Sequence, residues 1–180
     1  MNRIFIRSLL PGDEEAIYRI YSDMELCLAS GSTPVFDMHG AKQKLNRLMQ
    51  GGEYFAIVHI QTMQVIGVIS LSKDAHRFNK HAYMLGYVLH RDWWGQGIMT
   101  EAVNYMLKFA FKNMGADVVA AAHFTDNERS KRVLEKCGFV YEGTMRRGYL
   151  RFDGAVLDSC IYSILYDEYL HKTVDNQNGR

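Results

Sequence analysis

The chain has 180 residues, 48% of them hydrophobic, and its 21 basic and 20 acidic side chains leave a formal charge of +1. That balance excludes the broad basic face of a general nucleic-acid binder, and no apolar run approaches the length of a membrane helix. Cys27, Cys137 and Cys160 are odd in number and widely spaced, which fits neither a zinc site nor a disulfide framework and points to a reduced, cytoplasmic setting without metal.

Taken in chain order, Arg3 to Leu9 alternates as a first strand; Pro11-Gly12-Asp13 turns the chain, and Asp13 is placed to cap a helix carrying Ile17, Ile20 and Tyr21. A second helix follows over Asp37 to Gln50. Tyr54 to Ile60 and Val65 to Ser72 are apolar, branched strands joined by the short turn Gln61 to Gln64, so a hairpin is predicted. His81 to His90 is the next strand. From Ile98 the period changes: Ile98, Ala102, Tyr105 and Phe109, widened by Val103, Leu107 and Phe111, mark one face of a helix that ends at Gly115. Then come a strand over Asp117 to Phe124, a helix from Asn127 to Cys137 stopped by Gly138, and a pair of strands from Phe139 onward and from Val156 to Tyr166. Arg146, Arg147 and Arg151 read as a solvated strand edge. One domain over residues 1–170 is expected, with 171–180 a polar, frayed tail. Strands and helices mixed in this way predict an α/β or α+β fold, a sheet layered with helices.

The most telling stretch is Trp94-Gly95-Gln96-Gly97-Ile98-Met99-Thr100-Glu101-Ala102, a glycine turn that feeds straight into a helix after an apolar strand. The first amides of a helix have no partner inside it and its dipole is positive there, so an anion can dock if no side chain blocks the backbone. The spacing matches neither a Walker-type phosphate loop nor a three-glycine dinucleotide fingerprint.

Tyr87 through Ala102, together with Asn127-Glu128-Arg129-Ser130-Lys131-Arg132-Val133-Leu134-Glu135-Lys136-Cys137-Gly138-Phe139, resembles the GNAT superfamily of N-acetyltransferases, and within it the RimJ/RimL-like branch that includes ribosomal-protein N-terminal acetyltransferases. The second motif, N-x-x-S-x-x-V-L-x-x-x-G-F, matches at every fixed position. The first departs from the general Gln/Arg-x-x-Gly-x-Gly/Ala form, with Trp94 at its first position and Met99 at its sixth. The resemblance implies a GNAT fold: one mixed, mostly antiparallel central sheet of about six or seven strands, flanked by helices and splayed at the acetyl-CoA site. It also implies that backbone groups of Tyr87, Val88 and Leu89 hold the pantetheine arm and face the thioester. The diphosphate would sit on Gly95, Gln96, Gly97, Ile98 and Met99 with the Thr100 hydroxyl as an added donor, although Thr100 also suits a helix-start bond. Asn127 and Ser130 would contact the cofactor, with Ser130 the candidate acid or thiolate donor. Asn127 equally reads as a cap, and Thr125 with Glu128 as a capping box. Trp93 and Trp94 either cover the cofactor or pack beneath the loop.

No general base is legible. Where relatives often carry a Glu on the strand before the loop, this chain has Met84, and Glu142, His123, Glu53 and Tyr149 do not stand apart. Neutralising a lysine at pH 7 costs about 4.6 kcal/mol and an α-amine only about 1 kcal/mol. A missing base therefore favours a protein N-terminus or another low-pKa amine as acceptor, and the resemblance implies that the segment Glu25 to Asp37 shapes the acceptor cleft. A small-molecule amine acetyltransferase, a non-catalytic acetyl-CoA-binding module and a binder of some other phosphate remain as alternatives, and a homodimer through the final strands is a further expectation.

Overall fold

The computed structural model describes residues 2–178. Among them seven strands form one sheet: β1 (Ile4–Ser8), β2 (Tyr54–His59), β3 (Val65–Lys73), β4 (Ala82–Leu89), β5 (Val118–Phe124), β6 (Val140–Leu150) and β7 (Val156–Leu165), in the order β1-β2-β3-β4-β5-β7-β6. Every neighbouring pair is antiparallel except β4 and β5, as expected of a mixed, mostly antiparallel sheet.

That parallel pair is also short. Ala82 to Leu85 pair with Val118 to Ala121, and there the ladder stops, although β4 runs on to Leu89 and β5 to Phe124. The rest of β5 stays on β7, with Phe124 opposite Ser159, so the gap opens on the β4 side alone. Gly86 stands where the strands part, and a Cβ there would lie 2.8 Å from the Ser70 hydroxyl oxygen.

Strand side chains alternate between two faces, and each face is covered by helices. Ile57, Ile69, Leu85, Val119 and Ile164 pack with Ile98, Leu107 and Phe111 of α4 (Ile98–Asn113), Leu134 of α5 (Glu128–Lys136) and Tyr169 of α6 (Tyr166–Asn178). Ala56, Val58, Val68 and Val88 pack with Ile17 and Ile20 of α1 (Glu14–Tyr21), Leu26 of α2 (Met24–Ser30) and Leu45 of α3 (Met38–Met49). Each fully buried aliphatic side chain contributes about 1.5–3 kcal/mol through removal from water. Around α4 the buried stripe is Ala102, Val103, Met106, Leu107, Ala110 and Phe111, whereas Tyr105, expected on the core face, is 51% exposed. The Met106 and Ala110 steps align better with the sheet than the Tyr105 step does.

Four local expectations change. Asp13 precedes α1 but makes no side-chain cap; its carboxylate instead accepts two bonds from the Arg7 guanidinium, both at 2.8 Å, and one from the Leu10 amide at 2.9 Å. The segment after Asp23 is a helix, α2, capped by the Asp23 carboxylate on the Leu26 amide and ended by Gly31 at φ 74°. Asn127 caps α5 alone, and no Thr125–Glu128 box forms. Finally, β7 hands the chain to α6, so residues 171–178 belong to a helix, and the last two residues of the expected tail lie outside the described residues.

Gly67 of β3 tests the sheet beside the gap, because a Cβ there would sit 2.6 Å from the Val88 carbonyl oxygen and 3.1 Å from both Ile57 and Leu89. Gly67→Ala is expected to destabilise the protein by about 1–3 kcal/mol, read as a lower urea midpoint.

Candidate active site

Where β4 and β5 part, a cavity of about 500 Å3 opens, lined by α2, the end of β4, the loop into α4 and one side of α5. Of the residues expected at a cofactor site, Tyr87, Val88, Leu89, Gly95, Gly97, Ile98, Met99, Thr100, Asn127 and Ser130 all line it. Gln96 does not. Its side chain turns back to the Asp92 carbonyl at 2.9 Å, and its own carbonyl accepts from Arg3 at 2.7 Å.

The backbone supplies much of the cavity's chemistry. Because the His90 amide donates to Ile66 at 2.8 Å, the alternating ladder turns Val88 toward β3 and leaves Tyr87 and Leu89 presenting their polar groups to the gap. The Trp94 indole Nε1 takes the Leu89 carbonyl at 2.7 Å. Gly95 and Gly97 have φ of 73° and 74°, a region disfavoured for residues with a side chain. A Cβ at Gly95 would meet no other atom of the chain, so within the chain itself the turn demands glycine for its backbone shape. Beyond it, Glu101 makes the first intrahelical bond of α4, and the amides of Gly97, Ile98, Met99 and Thr100 have no acceptor in the chain among the described residues. The dipole of α4 adds roughly half a positive charge at this point.

Side chains fix the loop and the mouth. Arg3 at the start of β1 bonds the Gln96 carbonyl and pairs with Glu101 at 3.0 Å, which turns that carboxylate away from the free amides. Trp93 packs on the His59 ring at 4.4 Å between centroids, and the Arg129 guanidinium lies 4.0 Å over Trp94, so both tryptophans pack as well as line the cavity. Arg91, in the 3-10 turn Arg91–Trp93, pairs with Asp23 and with Glu25 at 3.3 Å, and Arg129 reaches Glu25 at 3.4 Å. Hydrogen bonding from Arg91 holds the Asp23 carboxyl below its ordinary pKa. These contacts tie α2 to both flanks of the opening. The sequence signals for α2, Asp23 as a cap and Gly31 as a stop around seven helical residues, are local.

Asn127 performs the cap role in full. Its Oδ1 accepts from the Ser130 amide at 3.1 Å and its Nδ2 donates to the Ala29 carbonyl at 2.9 Å, so it joins α5 to α2 across the cavity. The Thr100 hydroxyl has no bond to the helix start among the described residues; only its carbonyl is engaged, by Asn104 and Cys137. Ser130 Oγ lies 2.7 Å from the Tyr87 hydroxyl, a contact that sequence reasoning missed because it joins residues 43 apart. Burial pushes the Tyr87 phenol well above its ordinary pKa, which keeps it protonated.

Among the described residues, no carboxylate or imidazole lines the cavity, whereas Arg129, Arg132 and Lys136 do. Met84 stays half-buried on β4 between Ser72 and Ala120. Glu142 is committed elsewhere: burial acts to raise its pKa, but bonds from Ser163 at 2.7 Å and Arg77 at 2.5 Å, with the Arg77 charge, outweigh that and hold it low. His123 is buried, with Nδ1 donating to the Phe124 carbonyl at 2.7 Å and its ring against Tyr162. Tyr149 donates to the Gly31 carbonyl at 3.0 Å, and Glu53 is exposed.

Residues 3–140 match the family described as an acetyltransferase (GNAT) domain. The chain belongs to this family. It is an N-acetyltransferase, and its sheet, split between β4 and β5, is the GNAT fold. An uncharacterized N-acetyltransferase of Bacillus subtilis (strain 168), YoaA, is 27% identical over 172 residues, covering 91% of this chain and 94% of its own. The acetyltransferase (GNAT family) from Bacillus anthracis superposes with a TM-score of 0.82 at 27% identity over 92% of this chain and 96% of that one. The ribosomal-protein-S5-alanine acetyltransferase from Vibrio fischeri superposes at 0.76 with 28% identity over 94% and 96%.

The Arg3 strap gives this acetyltransferase a testable positioning residue. Arg3→Ala is expected to raise KM for acetyl-CoA about two- to tenfold with kcat within about twofold, because a loosened loop weakens binding and leaves the reacting atoms alone.

Proposed function

We propose that the protein acetylates a primary amine of low pKa, a protein N-terminal α-amine, using acetyl-CoA by direct attack within a ternary complex. The observation that carries this reading is the composition of the cavity wall: free amides and three cations for an anionic cosubstrate and, among the described residues, no carboxylate or imidazole to strip a proton from a strongly basic amine. The likeness to a ribosomal-protein-S5-alanine acetyltransferase over nearly the whole of both chains supports the same acceptor class.

In this reading the amides of Gly97 to Thr100 and the Thr100 hydroxyl hold the diphosphate, and Tyr87 and Leu89 receive the pantetheine arm along the open edge of β4. The neutral α-amine attacks the thioester carbon, the C–N bond forms, and water takes the amine proton. As the C–S bond breaks, the Ser130 hydroxyl donates a hydrogen bond to the departing thiolate, and the Tyr87 hydroxyl holds Ser130 in place. Free Cys27, Cys137 and Cys160 suit a reducing, cytoplasmic setting.

Thiol release measured with an alanine-initiated peptide, an N-terminally blocked lysine peptide and a polyamine tests the acceptor. The α-amine substrate should turn over fastest, with a rate that climbs up to about pH 8; turnover of the lysine or polyamine alone would sink the proposal. Ser130→Ala should lower kcat about 10- to 150-fold, the worth of a hydrogen bond to a charged group.

Self-association through the final strands is supported by the position of β6 at the sheet edge with Val140, Tyr141 and Leu150 exposed. Light scattering of the purified protein should then give twice the chain mass of 20.7 kDa, and a single-chain mass refutes it.

A further inference from the structure

α2 is seven residues long, too short to hold a helix unaided, so its place against the cavity is set by what grips it. Its first turn is fastened beside the glycine loop, through Asp23 to Arg91. Its last carbonyls are taken by side chains of other elements: Leu28 by Arg151 at 3.1 Å, Ala29 by Asn127 at 2.9 Å and Gly31 by the Tyr149 hydroxyl at 3.0 Å. The Tyr149 contact is the most closely fitted of these. A Cβ at Gly31 would lie 2.9 Å from the Tyr149 ring and hydroxyl, so the residue that ends α2 at φ 74° also lets the tyrosine close on it. The same ring packs on Phe124, the last residue of β5, at 5.2 Å between centroids. β6 is shaped to bring it there. Between Met145–Ser159 and Tyr149–Leu157 the pairing with β7 skips, so Arg146, Arg147 and Gly148 stand against Asp158 alone; Arg147 has φ 53° and its amide donates to the Asp158 carboxylate at 2.6 Å. In an unbulged ladder Arg147 would stand opposite Leu157, and the bulge gives that position to Tyr149.

The gap between β4 and β5 has two edges, and α2 packs against both strands. With Tyr87 and Leu89 giving the edge of β4 to the pantetheine arm, the edge of β5 from Ala122 to Phe124 and the end of α2 beside it are left for the incoming amine. We propose that Tyr149 is a positioning residue for the acceptor: by joining Gly31 to Phe124 it fixes the spacing between α2 and the free end of β5, and so how closely the amine is held to the thioester. This rests on reading the cavity as the site of acetyl transfer. Tyr149 lies outside the cavity lining, so it acts through Gly31 on Ala29 and Ser30, which belong to it. Its phenolic proton is given to a backbone carbonyl, so the role is one of placement and not of proton removal.

Tyr149→Phe keeps the ring on Phe124 and removes only the hydroxyl. In initial rates of thiol release the acceptor KM should rise about three- to tenfold, the worth of one hydrogen bond, while the KM for acetyl-CoA stays at its wild-type value. The melting temperature should stay within about 4 °C of wild type. Hydrogen exchange should quicken at the amides of α2 and keep its wild-type rate in α4, a readout that does not depend on which acceptor is used. An acceptor KM within about twofold of wild type, an equal rise in both KM values, or unchanged exchange in α2 overturns the assignment. The rates are measured with whichever amine of the acceptor panel the wild type turns over, so failure of the α-amine reading shows in the panel and failure of this inference shows in Tyr149→Phe.

Discussion

The whole site depends on the end of one hydrogen-bond ladder. β4 and β5 pair only as far as Leu85 and Ala121, and every later feature of the cavity follows from the backbone groups that this leaves without a strand partner. A sheet interior normally leaves no such groups, since an unpaired buried amide or carbonyl costs free energy. Here the parting is supported from both sides. β7 holds β5 to its full length, and the Trp94 indole satisfies the Leu89 carbonyl at the far end. The opening is thus a stable part of the fold, and it lies beside the positive end of α4.

Charge is sorted around this opening. Three acidic side chains around it are engaged by arginines: Asp23 and Glu25 by Arg91 and Arg129, and Glu101 by Arg3. The wall itself is left to amides, hydroxyls and cations. Such pairs at a surface contribute little stability each, so their consequence here is chiefly positional. They fasten α2, the glycine loop and α5 around one volume, and they keep negative charge from competing with an anionic cosubstrate. The same sorting leaves the wall, among the described residues, without a carboxylate or imidazole, which is the observation behind the proposed low-pKa acceptor.

Much of this was legible before the structure. The period change at Ile98, the glycines before it and the Asn127-x-x-Ser130 spacing are local patterns, and local patterns specify where a helix starts and which amides it leaves free. Asp23 and Gly31 carried the boundaries of α2 in the same local code. The split of the sheet followed only from resemblance. Arg3 on Gln96, Tyr87 on Ser130 and Asn127 on Ala29 join residues 93, 43 and 98 positions apart, and no spacing rule reaches that far. Asp13 shows the same limit in reverse: a residue with good capping chemistry was drawn off by Arg7 on the neighbouring strand.

By itself, then, the sequence determined the family, most of the elements and the glycine turn before α4, because these rest on residue types at short, fixed intervals. Only the tertiary structure decided what the turn faces. The pairing of strands placed Tyr87 against Ser130, took Glu142 and His123 out of the candidate bases, and set Arg132 and Lys136 along the same wall as the free amides of α4, since burial and long-range contact are properties of the assembled sheet and of no segment alone.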